Sequence, residues 1–314
     1  MEYIYLLVCL VAIVFSADWL VAGAVTIAKR FKISDFVIGA VIVGVGTSLP
    51  ELVVSSIGAF GGNSDIALGN VIGSNIFNVL GILGLTAMIM PVAVSKENKR
   101  FDLPLCIGVS VLAMLLTFNL FVGGDAVLGR IDGLILLAIF ALFMYKSLHG
   151  DKKQEVVSDE VITNKRLALG ITMVVGGLAS LIIASRFFLD NAILIAKAWG
   201  VNEAFISITL VACGTSLPEL AASLVAAAKK NTQLALGNVV GSNIFNLTLI
   251  LGVASQITPL TSSGITAVDY AVMVFAGAAP LLLGFKGKLN RWAGALMFLC
   301  FVAYNVYLIS LQMN

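Results

Sequence analysis

The sequence predicts an all-α integral membrane protein: ten transmembrane helices arranged as two inverted five-helix repeats. Three observations predict it. Hydrophobic residues are 60% of the 314 and charged residues only 11%, too few charges to cover a water-soluble surface. The apolar residues fall in runs of the roughly 20 that a helix needs to cross a bilayer, without the period-two alternation of barrel strands. The second half of the chain repeats the first.

Taken in order, the spans lie near 3–28, 34–60, 66–91, 102–121, 126–146, 167–196, 204–228, 233–258, 266–285 and 291–312. The start, "MEYIYLLVCLVAIVFSADWL", lacks the basic n-region of a signal peptide and carries Glu2, so it reads as an uncleaved first span. The loops after spans 1, 3, 5, 7 and 9 are basic. They hold Lys29, Arg30 and Lys32; Lys96, Lys99 and Arg100; Lys146, Lys152, Lys153, Lys165 and Arg166; Lys229 and Lys230; and Lys286, Lys288 and Arg291. Of the 19 Lys and Arg, only Arg130, Arg186 and Lys197 fall elsewhere. By the positive-inside rule those five loops are cytoplasmic, and both termini of this multi-pass protein of the cell (inner) membrane lie outside.

The mixed-charge segment "HGDKKQEVVSDEVITNKR" (149–166) reads as a solvated linker. It divides a first repeat, 1–147, from a second, 167–314, with 148–166 as the cytoplasmic linker. Adding 168 to a residue number maps the first half onto the second. "GVGTSLPEL" (44–52) meets "ACGTSLPEL" (212–220), and "ALGNVIGSNIFN" (67–78) meets "ALGNVVGSNIFN" (235–246). About half the positions from 36 to 84 are identical to their partners. Shared apolarity could align Leu and Val, but not Gly, Thr, Ser, Pro, Glu and Asn in order. An odd number of spans per repeat forces the second copy to enter the membrane upside down. Arg30 and Lys32 accordingly become Ala198 and Gly200. Inverted repeats mark many secondary transporters, with the site between the halves.

Each repeat carries a buried cluster of oxygen donors. Pro50 lacks an N–H and its ring clashes with the carbonyl of Gly46, so carbonyls between Gly44 and Thr47 should lose helical partners. Thr47, Glu51 and Ser55 share one helix face, with Ser48 beside them. Pro218 repeats this around Gly214, Thr215, Ser216, Glu219 and Ser223. On the next span, Asn70, Ser74 and Asn78 form a second stripe, matched by Asn238, Ser242 and Asn246. Asn75 and Asn243 point off the stripes and read as structural. Arg186 and Asp190, at i and i+4, read as a pair outside the site, and Asp18 is also left out.

A pseudo-two-fold axis would gather the four stripes into a cage of hydroxyl, amide, carbonyl and carboxylate oxygens. Such hard ligands suit Na⁺, Ca²⁺ or Mg²⁺, and flexible ligands favour Ca²⁺ over the octahedral, reluctantly dehydrated Mg²⁺. A carboxylate at the bilayer centre costs at least roughly 2.5 kcal/mol. One Ca²⁺ neutralises two of them, and so do two Na⁺, which is the charge balance of an exchanger. His149 is the only histidine, so a histidine metal site or a His-based triad is excluded. Cys9, Cys106, Cys213 and Cys300 are scattered through different spans and read as packing residues. A cation channel would need a continuous pore, and a membrane enzyme would need a nucleophile and a substrate-sized polar loop. Neither has support here, and the chain reads as no enzyme.

"GTSLPEL" with "GNVIGSNIFN" in each half resembles the two alpha-repeats of the cation/calcium antiporter superfamily, most closely the prokaryotic sodium/calcium exchangers. The resemblance covers essentially the whole chain, with the motifs at 44–78 and 212–246. It implies electrogenic antiport of external Na⁺ against internal Ca²⁺ by alternating access, with the long spans 1 and 6 sliding across a core. It implies Ca²⁺ ligands at the Glu51 and Glu219 carboxylates and the Thr47 and Thr215 carbonyls. It implies Na⁺ sites at Ser48, Ser74, Ser216, Ser242 and the carbonyls of Gly44 and Ala212, and Asn78 and Asn246 complete the expected metal site.

One departure stands out. Several members carry Asp at the last position of one repeat, whereas this chain has Asn78 and Asn246. The acids of the cage then total −2. The alternative, a proton-coupled antiporter of Ca²⁺ or another divalent cation, usually has a Glu soon after the GN pair, which "GNVIGSN" and "GNVVGSN" lack. The expected substrates are Ca²⁺ and Na⁺ and the expected surroundings a lipid bilayer. No cofactor, nucleic acid or obligate protein partner is expected.

Overall fold

The computed structural model describes residues 2–119, 126–149, 163–199 and 214–313. Among these, seven helices are long and apolar enough to cross a membrane: Ile4–Phe31, Ser64–Ile89, Asn98–Thr117, Arg130–His149, Asn164–Ala198, Thr232–Ile257 and Arg291–Leu311. A further apolar helix pair, Asp35–Thr47 and Leu49–Phe60, is bent by 45° at Ser48 and makes an eighth crossing if it is one span. Two shorter apolar helices are Leu217–Ala228 and Ala267–Leu283. Every expected span thus has a helical counterpart within the described residues. The span expected at 204–228 is seen only in its second part, because 200–213 lie outside them, as does most of the linker.

In chain order the helices are α1 (Glu2–Phe31), α2 (Asp35–Ile38), α3 (Val45–Thr47), α4 (Leu49–Phe60), α5 (Ser64–Ile76), α6 (Gly84–Ile89) and α7 (Leu103–Thr117). They continue as α8 (Arg130–His149), α9 (Asn164–Ala198), α10 (Leu217–Ala228), α11 (Thr232–Phe245), α12 (Leu251–Ile257), α13 (Ala267–Leu283) and α14 (Arg291–Met313). Wider π-helical turns join α2 to α3 at Gly39–Gly44, α5 to α6 at Phe77–Leu83, and α11 to α12 at Asn246–Ile250. Such turns concentrate at functional sites, and here each adjoins a motif.

The starts of the helices are written locally. Asn63 caps α5 by accepting from Ile66 N at 3.2 Å, and its repeat partner Asn231 caps α11 by accepting from Leu234 N at 3.1 Å. Thr266 and Asp269 form a reciprocal capping box at α13. Pro50 and Pro218 sit in the first turns of α4 and α10, where a missing N–H costs nothing.

The layering follows from what each helix must hide. The two motif crossings Ser64–Ile89 and Thr232–Ile257 are 78% and 94% buried, whereas Arg130–His149 and Arg291–Leu311 are 17% and 11% buried. The motif helices are therefore the centre, and the uniformly apolar α8 and α14 form an outer shell. α11 packs backbone to backbone on the first arm of the bent crossing. A Cβ on Gly237 would stand 2.1 Å from Phe36 O, and one on Gly241 would stand 2.4 Å from Ala40 Cα. α1 and α9, at 30 and 35 residues the longest helices, pair with each other and share a separate apolar cluster around Leu20, Val21, Ala24 and Leu181.

Loop contacts sort into two sets. Strand β1 (Val92–Ala93) pairs antiparallel with β4 (Lys288–Leu289), Lys99 Nζ donates to Phe285 O, and Gln233 Nε2 donates to Ala93 O. Strand β2 (Val127–Leu128) pairs with β3 (Leu260–Thr261), Gln256 Nε2 donates to Arg130 O, and Asp65 accepts from Ser263 and Gly264. Loops after odd-numbered spans touch one another, and so do loops after even-numbered spans. β1 and β3 are related by the 168-residue repeat. Arg186 and Asp190 do not form the expected ion pair among the described residues. The recorded pair is Lys229 with Asp18, 2.7 Å apart between α10 and α1.

Candidate cation site

The two helix breaks have the same local geometry. Ser48 stands at φ −85°, ψ 8° and Ser216 at φ −91°, ψ 12°, each just before a Leu-Pro-Glu turn. The break turns Ser48 away from its own Glu51 and toward the other half. Ser48 Oγ donates to Glu219 Oε1 at 2.8 Å, and Ser216 Oγ donates to Glu51 Oε1 at 2.9 Å. Of the face expected to hold Thr47, Glu51 and Ser55 together, the 45° bend sets Thr47 apart on the first arm, while Glu51 and Ser55 stay together on α4, where Ser55 Oγ donates to Ala67 O of α5.

Asn70 and Asn238 hold the backbone behind the carboxylates. Asn70 Nδ2 donates to Glu51 O at 3.1 Å and to Ser55 Oγ at 2.9 Å. Asn238 Nδ2 donates to Glu219 O and Ser223 Oγ at the same distances. Their amide oxygens accept from the threonines of the opposite half, Thr47 Oγ1 to Asn238 Oδ1 at 3.3 Å and Thr215 Oγ1 to Asn70 Oδ1 at 3.4 Å. Sequence reading placed both asparagines on the stripes but not among the site residues. Their spacing from Ser74 and Ser242 was the signal that could have included them.

The outer ends of the stripes also cross between halves. Asn246 Nδ2 donates to Ser74 Oγ at 3.2 Å, and Ser242 Oγ donates to Gly44 O at 3.2 Å. Asn78 Nδ2 donates to Asn243 Oδ1, whose own amide donates to Asn75 O, both at 3.1 Å. The Gly44 carbonyl is not left free, since it also accepts from Ser48 N at 3.1 Å and from Thr47 Oγ1 at 3.3 Å. Ala212 lies outside the described residues. The other eleven expected residues are all described, and side-chain bonds of the two networks join them across the halves.

The donors in this cluster are used and several acceptors are not. Glu51, Glu219, Asn78 and Asn246 are fully buried, each at 0% exposure. Glu51 Oε2, Glu219 Oε2, Asn78 Oδ1 and Asn246 Oδ1 have no hydrogen-bond partner. Leaving a buried acceptor unsatisfied costs about 1–3 kcal/mol, and more for a charged one. Unpartnered buried oxygens, two of them carboxylate, are of the ligand type that could hold a hard cation. Hard cations fit this set; soft metals that prefer sulfur or imidazole do not.

Comparison with known proteins gives the chain's family. The sodium/calcium exchanger protein family model matches residues 1–148 and 169–310. CaxA of Alkalimonas amylolytica is 37% identical over 98% of both chains. The sodium/calcium exchanger MaX1 of Methanosarcina acetivorans is 31% identical, again over 98% of both. A solved structure of the sodium-calcium exchanger NCX_Mj, soaked with zero Na⁺ and Ca²⁺, superposes with a TM-score of 0.85 at 32% identity, covering 98% of each chain. This chain therefore belongs to the sodium/calcium exchanger family, a family of membrane cation/calcium antiporters.

Proposed function

We propose that this protein exchanges Na⁺ for Ca²⁺ across the cell membrane by alternating access, at a site near the bilayer midplane built from Glu51, Thr47, Ser48, Ser74, Asn78 and Gly44 with their repeat partners Glu219, Thr215, Ser216, Ser242, Asn246 and Ala212. The observation that carries this is the set of four orphaned oxygens on Glu51, Glu219, Asn78 and Asn246. Two carboxylates give the cage a charge of −2. One Ca²⁺ or two Na⁺ balance it, so each substrate displaces the other and the unloaded cage is penalised. Neither repeat has the Glu soon after its GN pair that proton-coupled members usually carry, which favours Na⁺ over H⁺ as the coupling ion.

The site lies between two inverted five-helix repeats, 1–147 and 167–314, joined by a cytoplasmic linker at 148–166. Both termini lie outside. The two sets of loop contacts support this topology, because each set joins loops and span ends that the ten-span reading assigns to one side. α1 and α9 are the sliding pair. α9 meets the helix breaks through apolar side chains, Leu178 against Gly46 and Leu189 against Gly214, which lets it move without breaking polar bonds to the cage.

The test is Ca²⁺ flux into proteoliposomes loaded with Na⁺. An outward Na⁺ gradient should drive Ca²⁺ uptake, and a pH gradient alone should not. Uptake driven by protons and indifferent to Na⁺ would establish the proton-coupled alternative instead. Ca²⁺ entry without any counter-ion would mean a channel.

A further inference from the structure

We propose that Asn243 is a positioning residue for the cation site: it fixes which end of the Asn78 amide is left open to the cation. The inference rests on the proposed site, in which Asn78 is a ligand. It gives a functional role to a residue whose place off the stripes read as structural.

Asn243 lies on α11 of the second repeat and is 3% exposed, and Asn78, in the π-helical turn after α5 of the first repeat, is fully buried. Three polar groups stand in a row across the two halves. Asn243 Nδ2 donates to Asn75 O at 3.1 Å, and Asn243 Oδ1 accepts from Asn78 Nδ2 at 3.1 Å. The far end sets the polarity of the row. A main-chain carbonyl can only accept, so Asn243 must turn its NH₂ group to Asn75 O. Its oxygen then faces Asn78, and that oxygen can also only accept. Asn78 must therefore turn its own NH₂ group to Asn243, and Asn78 Oδ1 is the end left without a partner. Reversing the Asn78 amide would set two oxygens against each other and offer N–H hydrogens to a cation. Buried polar groups with the wrong partner are costly, and more so where the surroundings are poor in water.

The repeat partner of Asn243 does not do this. Asn75 turns back on its own helix, where its Nδ2 donates to Val71 O at 2.6 Å. Asn246, the counterpart of Asn78, is oriented by Ser74 instead. Asn246 Nδ2 donates to Ser74 Oγ at 3.2 Å, and the Ser74 hydroxyl directs its one hydrogen to its own helix, at Asn70 O, 2.7 Å away. Ser74 can then only accept from Asn246. Both outer asparagines are thus held by the NH₂ end through a chain of bonds that finishes on a main-chain carbonyl. Asn75 is the natural control: it is the same residue type at the same place in the repeat, and its side chain bonds neither Asn78 nor Asn246.

The experiment is isothermal titration of Ca²⁺ into the full-length protein in Na⁺-free detergent. Removing a partner that orients a ligand lowers metal affinity by about ten- to hundredfold, and Asn243→Ala should weaken Ca²⁺ binding by that factor. Asn75→Ala keeps the main-chain carbonyl that Asn243 bonds and should weaken it much less. The decisive measurement is the double variant. With Asn78→Ala already present, Asn243→Ala should cost less than about twofold further, because Asn243 acts through Asn78. A purely structural role would add its loss in either background. Asn243→Leu, close in volume, keeps the test open if the alanine variant does not fold. Equal losses for Asn243→Ala and Asn75→Ala, or additive losses in the double variant, would overturn this inference alone. A wild type that binds no Ca²⁺ would overturn the proposed site and this inference with it, so the two failures are told apart.

Discussion

Ser48 of the first repeat donates its hydroxyl to Glu219 of the second at 2.8 Å, and the repeat returns the bond from Ser216 to Glu51 at 2.9 Å. Each carboxylate is held on one oxygen by the opposite half and left open on the other. This exchange of partners ties the two breaks into one site and sets what substitution should do.

Removing either charge should abolish Ca²⁺ transport. Breaking a buried charge pair costs about 3–5 kcal/mol, which is hundredfold or more in affinity. Glu51→Gln and Glu219→Gln should each eliminate Na⁺-driven Ca²⁺ flux. They should also raise the unfolding temperature in ion-free buffer, because a neutral amide is easier to bury than a carboxylate. Near-normal Ca²⁺ exchange by a well-folded Glu51→Gln protein would remove Glu51 from the site.

Ser48→Ala tests the bond across the halves. A hydrogen bond to a charged group contributes about 1.5–3 kcal/mol, so Ca²⁺ affinity should fall about ten- to hundredfold. In a background of Glu219→Gln the same change should cost far less, since the two residues act together. Additive losses in isothermal titration would show that they do not.

Asn246→Asp tests the missing acid. Like charges in close quarters cannot all stay ionised, so a third carboxyl in the cage should bring protons into competition with the cations. Na⁺-driven Ca²⁺ flux should then fall as pH drops from about 8 to about 6, while the wild type stays flatter over that window. Superimposable profiles would place residue 246 outside the cage.

Gly237→Ala tests the central packing. A Cβ there would stand 2.1 Å from Phe36 O, a backbone atom that cannot step aside by changing rotamer. Overpacking costs about 1–3 kcal/mol, so unfolding in detergent should occur at a lower temperature. The symmetric change Gly69→Ala, whose Cβ would stand 3.3 Å from Ile265 Cδ1, should cost less. Equal melting of the two variants would contradict the asymmetry.

Topology is checked by labelling. Gln154→Cys and Asn314→Cys, each in a background without the four native cysteines, should react with an impermeant thiol reagent from opposite sides. Labelling from the same side would reject the ten-span inverted arrangement.

Much of this was legible in the chain because it is written in local rules. Apolar length marked the spans, the Lys and Arg bias gave their expected direction, and the 168-residue offset exposed the repeat. Prolines 50 and 218 marked the breaks, and four-residue spacing set Asn70, Ser74 and Asn78 on one stripe. Spacing along one helix says which residues share a face, but not which helix that face meets. Only the tertiary structure decided that Ser48 serves Glu219 rather than its near neighbour Glu51, and that Thr47 reaches Asn238. It also decided that the Gly44 carbonyl keeps its bond from Ser48 N, and that Asp18 pairs with Lys229 while Arg186 and Asp190 stay apart. The physical reason is the 45° bend at Ser48: it breaks the helical phase that spacing along the chain assumes, and the freed side chains bond to the other half of the chain.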